Sequence, residues 1–239
     1  MAIFTRARVP AMLNSVVLFL SLALVSISIA SIYLTAYGMK LMDREHPSGH
    51  YDWYRGPWWD TDLIPQNMLR FDDANEAVIF TTGAISCIAG LIGISTFFVS
   101  LKPFKITKLS TSRIFLLLPA ITAFLMTLVG LIYTTVIFKS NHHGQCYWEN
   151  GYNPNNTFIC TRELAACNIV SYFVQTRYNR FMPQVCGATQ TGRHLIAPLF
   201  AVSTLLFAVA IVKVVLGGKK TTTGESADER VERLQREEE

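Results

Sequence analysis

Residues 11–36, AMLNSVVLFLSLALVSISIASIYLTA, form a run of 26 positions without a charged side chain. Three more stretches share this property: 77–101 and 114–138, with 25 residues each, and 195–212, with 18. About 20 apolar residues cross the hydrocarbon core of a bilayer as an α-helix. Inside lipid the backbone amides have to pair within their own segment, so each stretch should be helical. The sequence therefore predicts an all-α membrane protein built on a four-helix transmembrane bundle.

Composition excludes two other classes. Of the 239 residues, 51% are hydrophobic and only 16% are charged, whereas soluble globular domains carry about 25% charged residues. Because the apolar residues are concentrated in four runs, the chain is neither an ordinary cytosolic enzyme nor disordered.

Lysine and arginine indicate the orientation, since they concentrate in cytoplasmic segments. Segments 1–10 and 102–113 carry basic residues and no acid, and the tail begins with Lys219 and Lys220. Both termini are therefore expected in the cytoplasm of a plasma-membrane or secretory-pathway protein. The predicted order is cytoplasmic 1–10, span 11–36, outer loop 37–76, span 77–101, cytoplasmic 102–113, span 114–138, outer loop 139–194, span 195–216 and cytoplasmic tail 217–239.

The first span has an alternative interpretation as a cleaved signal peptide ending near Ala30. Its apolar stretch is longer than the roughly 7–15 residues that are usual for signal peptides, which favours an uncleaved anchor. Cleavage would leave the other segments on the same sides.

Four of the five cysteines lie in the second outer loop: Cys146, Cys160, Cys167 and Cys186. An even number in a loop outside the cytosol predicts two disulfides and a small disulfide-bonded subdomain. Their pairing is constrained by Thr161–Phe173, which has the pattern of a short helix.

Along such a helix, Cys160 and Cys167 would lie roughly 10 Å apart. A disulfide needs Cα atoms within about 7 Å, so these two should not pair with each other. We favour Cys146–Cys160 with Cys167–Cys186, which closes a hairpin-like loop. The arrangement Cys146–Cys167 with Cys160–Cys186 stays open.

Between the first two of these cysteines lies Asn155-Asn156-Thr157, a sequon that predicts N-glycosylation of Asn155. Its place beside turn residues on the expected outer side supports this prediction.

The first outer loop contains Trp53, Trp58 and Trp59 in the stretch YDWYRGPWW. They could form an interfacial belt, pack against the disulfide-bonded loop, or bind a partner, because exposed tryptophans are common interface anchors. We regard them as candidate partner-binding residues.

A pattern of small residues in the second span predicts close helix packing. Its members, at spacings of three or four residues, are Gly83, Ser86, Ala89, Gly90 and Gly93. The pattern does not distinguish packing inside the bundle from lateral association with other membrane proteins.

The sequence points to no catalytic, cofactor-binding or metal-binding residue. It contains no GxSxG, HExxH, Walker A or Rossmann glycine motif. No ionisable residue lies in the middle of a span, where transporters and channels usually place one. The five histidines all fall in the outer loops and are interpreted as solvated.

The layout of four spans, inside termini and a larger second outer loop with four cysteines resembles that of tetraspanins. Their Cys-Cys-Gly motif is absent, and the nearest match is Cys186-Gly187. Claudins carry a tryptophan and cysteine motif in the first outer loop, which here has tryptophans but no cysteine. The layout is also similar to that of four-helix membrane proteins of filamentous fungi. The resemblance covers topology along the whole chain and implies no functional residues.

The function expected from the sequence is that of a non-enzymatic organiser or interaction protein. Its partners would be the lipid bilayer and other membrane proteins, reached through lateral packing and the outer loops, and not nucleic acid. One alternative is a small membrane-embedded lipid-modifying enzyme or its accessory subunit, because the first outer loop is rich in aspartate. A transporter or channel component is the third hypothesis.

Overall fold

The computed structural model describes residues 8–53, 66–101, 109–137, 146–151, 155–170 and 180–222. Within them the protein is mostly helical, with one small sheet. The helices are α1 (Arg8–Glu45), α2 (Ala74–Leu101), α3 (Leu109–Ile132), the short α4 (Arg162–Leu164), α5 (Met182–His194) and α6 (Ile196–Thr222). Wider helical turns follow α3 at Tyr133–Ile137 and α4 at Ala165–Ile169.

Within the described residues, four helical segments are long and apolar enough to cross a membrane. They are Met12–Glu45, Ala74–Val99, Leu116–Val136 and Met182–Val215. The predicted four-helix bundle is thereby confirmed. Helix α1 continues six residues past its uncharged run, which ends at Met39, to Glu45, so its last turns extend into the region of the outer loops.

The fourth segment contains both α5 and α6, with a break between them. Pro198 lies in the first turn of α6 and has no N–H for the carbonyl of His194, four residues earlier. Leu195 accordingly leaves the regular helix, while its N–H still bonds Thr191 O at 3.0 Å. Helix α5, before this break, belongs to the outer region. Helix α6, after it, belongs to the bundle.

Inside the bundle, α1 contacts α2, α2 contacts α3, α3 contacts α6, and α6 contacts α1. The enclosed core is a mixture of leucines, isoleucines and alanines with hydroxyl side chains. Its buried apolar members are Val17, Leu20, Leu24, Ile79, Ala89, Leu116, Ala120, Ala123, Ile196, Leu199, Leu206 and Ala210. A hydrogen bond of 2.7 Å between Thr127 Oγ1 and Ser203 Oγ connects α3 to α6.

The small-residue stripe of α2 packs against α1, inside the bundle. A Cβ added at Gly90 would lie 2.6 Å from Val25 Cγ2 and 2.9 Å from the carbonyl oxygen of Ser21. Gly83 and Gly93 approach the same helix, and Ser86 and Ala89 are buried. The stripe therefore lets the two helices approach closely.

The two outer loops form a single four-stranded sheet, which the sequence did not predict. Its strands are β1 (Gly49–Asp52), β2 (Gln66–Asp72), β3 (Cys146–Trp148) and β4 (Thr157–Thr161). The order is β1-β2-β4-β3, in which β2 and β4 are parallel and both outer pairs are antiparallel. We call the sheet, α4, its following turn and α5 the outer subdomain.

The outer subdomain has a hydrophobic core of its own. The inward residues of β2 and β4 meet the last turns of α1 and the first turns of α5; this core includes Met42, Leu69, Phe71, Phe158, Leu164, Met182 and Val185. Two disulfides close it, Cys146–Cys160 and Cys167–Cys186, which is the pairing favoured from the sequence. The first joins β3 to β4, and the second joins the turn after α4 to α5.

Replacing Gly90 with alanine should destabilise the bundle by about 1–3 kcal/mol, because the added methyl group overlaps the backbone of α1. The thermal unfolding midpoint in detergent measures the effect. Gly187→Ala is the matched control: it lies in α5 with no atom within 4 Å of the added Cβ, so it should be neutral or stabilising by up to about 1 kcal/mol. Equal midpoints for the two variants would contradict close packing at Gly90.

Candidate functional site

The parallel pairing of β2 and β4 brings charged residues of the two outer loops together. In this register Asp72 lies opposite Thr161. Helix α2 begins directly after β2, and α4 begins directly after β4. The segments that leave the two strands therefore run side by side, with Asp73 near Arg162, where the sheet meets the bundle.

Arg162 connects the ends of two bundle helices. Its Nε donates to Asp43 Oδ1 at 3.0 Å and its Nη2 to Asp43 Oδ2 at 3.3 Å. Its Nη1 donates to Asp73 Oδ1. The guanidinium lies over the ring of Phe71, 5.1 Å from the centroid, which adds a cation–π contact. Arg162 thus joins the end of α1 to the start of α2 from within the outer subdomain.

Burial disfavours the charged form of the Arg162 guanidinium, whereas its two carboxylate partners favour that form. Removal from water lowers the pKa of Arg162, but the hydrogen bonds and charges of Asp43 and Asp73 raise it by more. The net result is a pKa above the ordinary arginine value, so the guanidinium stays charged.

Glu163 makes the second connection. Its Oε2 accepts from Arg193 Nε at 3.0 Å, and its Oε1 accepts from Arg193 Nη2, also at 3.0 Å. The side chain of Glu163 is buried, with 6% of its surface exposed, and that of Arg193 is nearly so, with 12% exposed. Arg193 also donates to the carbonyl oxygen of Thr134, at 3.4 Å, in the turn after α3. Glu163 is thereby connected to α5 and to the end of α3.

We call Arg162, Glu163 and their partners the junction. Arg162 reaches the end of α1 and Asp73 just before α2, Glu163 reaches Arg193 of α5, and Arg193 extends to Thr134 after α3. Buried charges are stable only with well-placed partners, so such pairs favour a single arrangement of the parts that they join. The junction fixes the outer subdomain relative to the bundle.

Several buried oxygen atoms near the junction have no hydrogen-bond partner among the described residues. They are Glu76 Oε2, Asn75 Oδ1 and Thr161 Oγ1, in residues that are all about 3% exposed. The charged groups around Glu76 are Arg162, Asp73 and Asp72. Glu76 is therefore a carboxyl group enclosed at the outer end of α2.

Trp53 packs against the second outer loop. Its ring centroid lies 5.2 Å from that of Trp148 and 5.6 Å from that of Phe158. These internal contacts correspond to the packing interpretation of the tryptophan motif. Trp58 and Trp59 lie outside the described residues.

The two asparagines of the sequon have different surroundings. Asn155 is exposed and has a φ of +62°, and its N–H donates to the carbonyl oxygen of Gln66 at 2.8 Å. Asn156 is buried, with Nδ2 donating to the Gly151 carbonyl oxygen and Oδ1 accepting from the Thr157 N–H. Asn156 holds the turn, and Asn155 presents its side chain to solvent.

His46 differs from the solvated loop residue expected from the sequence. It follows α1 directly and is 3% exposed. Its Nδ1 lies 2.5 Å from the Glu45 carbonyl oxygen, while its Nε2 is buried and has no partner in the part of the chain that the structure describes. Burial lowers the pKa of His46, and the charge of Glu45 offsets this only in part.

The remaining histidines do not form a metal site with described residues. His50 and His194 are exposed, and His142 and His143 lie outside the described residues. In the part of the chain that the structure describes, no three His, Cys, Asp or Glu side chains are grouped to hold a metal ion.

Sequence reasoning missed most of the junction. Arg162 and Glu163 carry opposite charges beside Cys160, and Arg193 directly precedes the last uncharged run. That closeness to a span and to cysteines was the available signal. Their partners are remote: Asp43 is 119 residues from Arg162 along the chain.

The chain matches no protein-family model, no curated protein and no solved structure. The likeness to tetraspanins and claudins is therefore one of layout. Four apolar helices of spanning length identify an integral membrane protein.

Removing either partner of the Glu163–Arg193 pair should destabilise the protein by about 3–5 kcal/mol, because the other charge stays largely out of water without its ion-pair partner. Glu163→Met and Arg193→Met test this by thermal unfolding in detergent. The double variant should lose less than the sum of the single variants, since neither charge remains. As a control, Arg44→Met removes an exposed pair with a 3.6 Å separation and should cost under about 1 kcal/mol. If the loss of stability in the double variant equalled the sum of the two single losses, direct coupling between Glu163 and Arg193 would be contradicted.

Stability should fall as the pH drops below His46's ordinary pKa of 6.5. With a lowered pKa in the folded state, the unfolded chain takes up the proton first, so acid favours unfolding. Unfolding midpoints measured from about pH 8 to about pH 5 should show a decline that His46→Gln reduces. His50→Gln, which removes an exposed imidazole nearby, should leave the decline unchanged. An unaltered pH dependence in His46→Gln would assign it to other groups.

Proposed function

We propose that the protein is a non-enzymatic organiser or interaction protein, which presents its outer subdomain to other proteins of the same membrane. The observation that carries this proposal is the junction. One buried helical turn connects a sheet built from both outer loops to α1, α2, α3 and α5. A rigidly mounted sheet suits recognition, because little conformational freedom is lost when a partner binds.

The composition of the spans supports this proposal over transport. No uncharged run contains an Asp, Glu, Lys, Arg or His residue, and the polar residues within them are mainly serine and threonine. Ser28 and Thr127 donate to carbonyl oxygens one turn earlier, at 2.6 and 2.8 Å. Such hydroxyl groups serve helix packing.

The topology that we propose has cytoplasmic termini and the outer subdomain on the opposite side, in the plasma membrane or the secretory pathway. The basic residues of segments 1–10 and 102–113 support this orientation. The two disulfides support an oxidising compartment for the subdomain.

The outward face of the sheet and the tryptophan motif are the proposed contact regions. The outward face carries the exposed residues His50, Arg70 and Tyr147, and tyrosine and arginine are frequent interface anchors. Trp58 and Trp59 stay candidates through their residue type.

Photo-crosslinking in intact cells tests the proposed function. A photoreactive amino acid at Tyr147 or Trp58 should yield discrete protein adducts. The matched controls, Phe19 and Val129, are exposed in the spans and should yield mainly lipid adducts. Protein adducts at the control positions alone would contradict recognition through the outer subdomain.

The buried carboxyl group of Glu76 favours a second candidate, a membrane-embedded lipid-modifying enzyme. An enclosed acid at the outer end of a span is a possible acid–base group. Cellular lipid profiles distinguish the two candidates. For an enzyme, Glu76→Gln should reproduce the lipid changes caused by loss of the chain while preserving the adducts at Tyr147. For an organiser, the profile of Glu76→Gln should equal that of the wild type.

N-glycosylation of Asn155 is part of the proposal, supported by its exposure on the outer subdomain. Asn155→Gln should abolish the mass shift produced by a glycosidase and leave the unfolding midpoint almost unchanged. Asn156→Ala keeps an Asn-X-Thr sequon but loses two hydrogen bonds, so it should remain glycosylated and lose about 1–3 kcal/mol of stability. A glycosidase shift that persists in Asn155→Gln would refute this assignment.

A further inference from the structure

An exposed stripe of two tyrosines and two cations runs along the outer part of α1. Its members are Tyr33, Tyr37, Lys40 and Arg44, and all four are exposed. Successive helix residues rotate by about 100°, so this spacing places the four within an arc of roughly 60°. The rings of Tyr33 and Tyr37 confirm the shared face, since they stack with centroids 6.3 Å apart.

The stripe crosses the boundary between hydrocarbon and headgroups. The uncharged run of α1 ends at Met39, and Lys40 is the first charged residue after it. Arg44 lies four residues further, or about 6 Å along the axis. The headgroup layer on each side of a bilayer is about 5–7 Å thick. Lys40 is therefore at the edge of the hydrocarbon, and Arg44 is at the depth of the phosphates.

The direction of α1 tilts both cations toward the bilayer. Helix side chains lean toward the N-terminus of their helix. Because α1 leaves the membrane with its C-terminal end, its N-terminal direction points back to the hydrocarbon. Arg44 therefore leans toward the headgroups rather than away from the membrane.

The charge of the stripe is suited to an anion. Arg44 has one described ion-pair partner, Glu45, at 3.6 Å, and its own side chain is 79% exposed. The neighbouring Asp43 is bound by Arg162. Lys40 forms no ion pair with any described residue. The stripe thus offers two accessible positive charges above two phenol groups.

We propose that this stripe binds an anionic phospholipid of the leaflet on the side of the outer subdomain. Lys40 and Arg44 pair with the phosphate, and the stacked faces of Tyr33 and Tyr37 lie along the upper acyl chain. A phospholipid fits because the stripe is apolar below the boundary and cationic above it, at the depths where one molecule has its chain and its phosphate. The site is independent of the proposed function.

Native mass spectrometry of the full-length protein released from detergent tests the site. Phosphatidic acid and phosphatidylcholine are the two probes, offered at equal concentration. The wild type should retain phosphatidic acid in preference. Lys40→Gln/Arg44→Gln should weaken its binding by about thirtyfold, since each near-surface cation contributes about 1 kcal/mol.

Two further variants provide controls. Lys40→Arg/Arg44→Lys keeps both charges and should keep the preference. Arg70→Gln removes an exposed cation from the outward face of the sheet, away from the stripe, and should also keep it.

Equal retention in wild type and Lys40→Gln/Arg44→Gln would overturn the proposal. Comparable affinity for inorganic phosphate would overturn it as well, because the lower half of the stripe would then contribute nothing. Dimerisation that is lost in the same variant, without a change in lipid retention, would assign the stripe to a second copy instead.

Discussion

Two adjacent residues of opposite charge, Arg162 and Glu163, lie where the outer subdomain meets the membrane bundle. Arg162 binds Asp43 and Asp73 at the ends of two bundle helices, and Glu163 binds Arg193, which in turn reaches the carbonyl oxygen of Thr134 after α3. Each is buried, and each is compensated by partners on other elements: Asp43 and Asp73 for the arginine, Arg193 for the glutamate. Moving charges out of water costs several kcal/mol per ion unless the partners are well placed. The junction therefore contributes specificity more than net stability, since a displaced subdomain would leave these charges uncompensated.

The two halves of the molecule depend on different forces. Within the spans, lipid is as apolar as the side chains, so helices associate through close packing and hydrogen bonds rather than through hydrophobic burial. Gly90 against Ser21 and Thr127 with Ser203 are examples. The outer subdomain is exposed to water, and it buries a conventional core around Leu69 and Phe158 that two disulfides close. The junction lies between these two environments, and it joins them through ion pairs and hydrogen bonds.

The features that were predictable from the sequence are those that depend on neighbouring residues. The spans follow from long uncharged runs, and the favoured disulfide pairing follows from the helical rise between Cys160 and Cys167. The sheet was not predictable in this way. Its central pairing joins Met68 to Thr157 across 89 residues, and short strands with loop-like composition give no local signal of their partners. For the same reason His46 was taken as solvated, although the folded chain buries it.

By itself, the sequence determined that this chain crosses a membrane four times as helices, because uncharged length and backbone satisfaction in lipid are local requirements. The tertiary structure decided that the small residues of α2 pack against α1, that Trp53 packs inward, and that Asp43, Asp73 and Arg193 converge on Arg162 and Glu163. These outcomes depend on contacts between separate segments of the chain, whose geometry local sequence patterns do not encode.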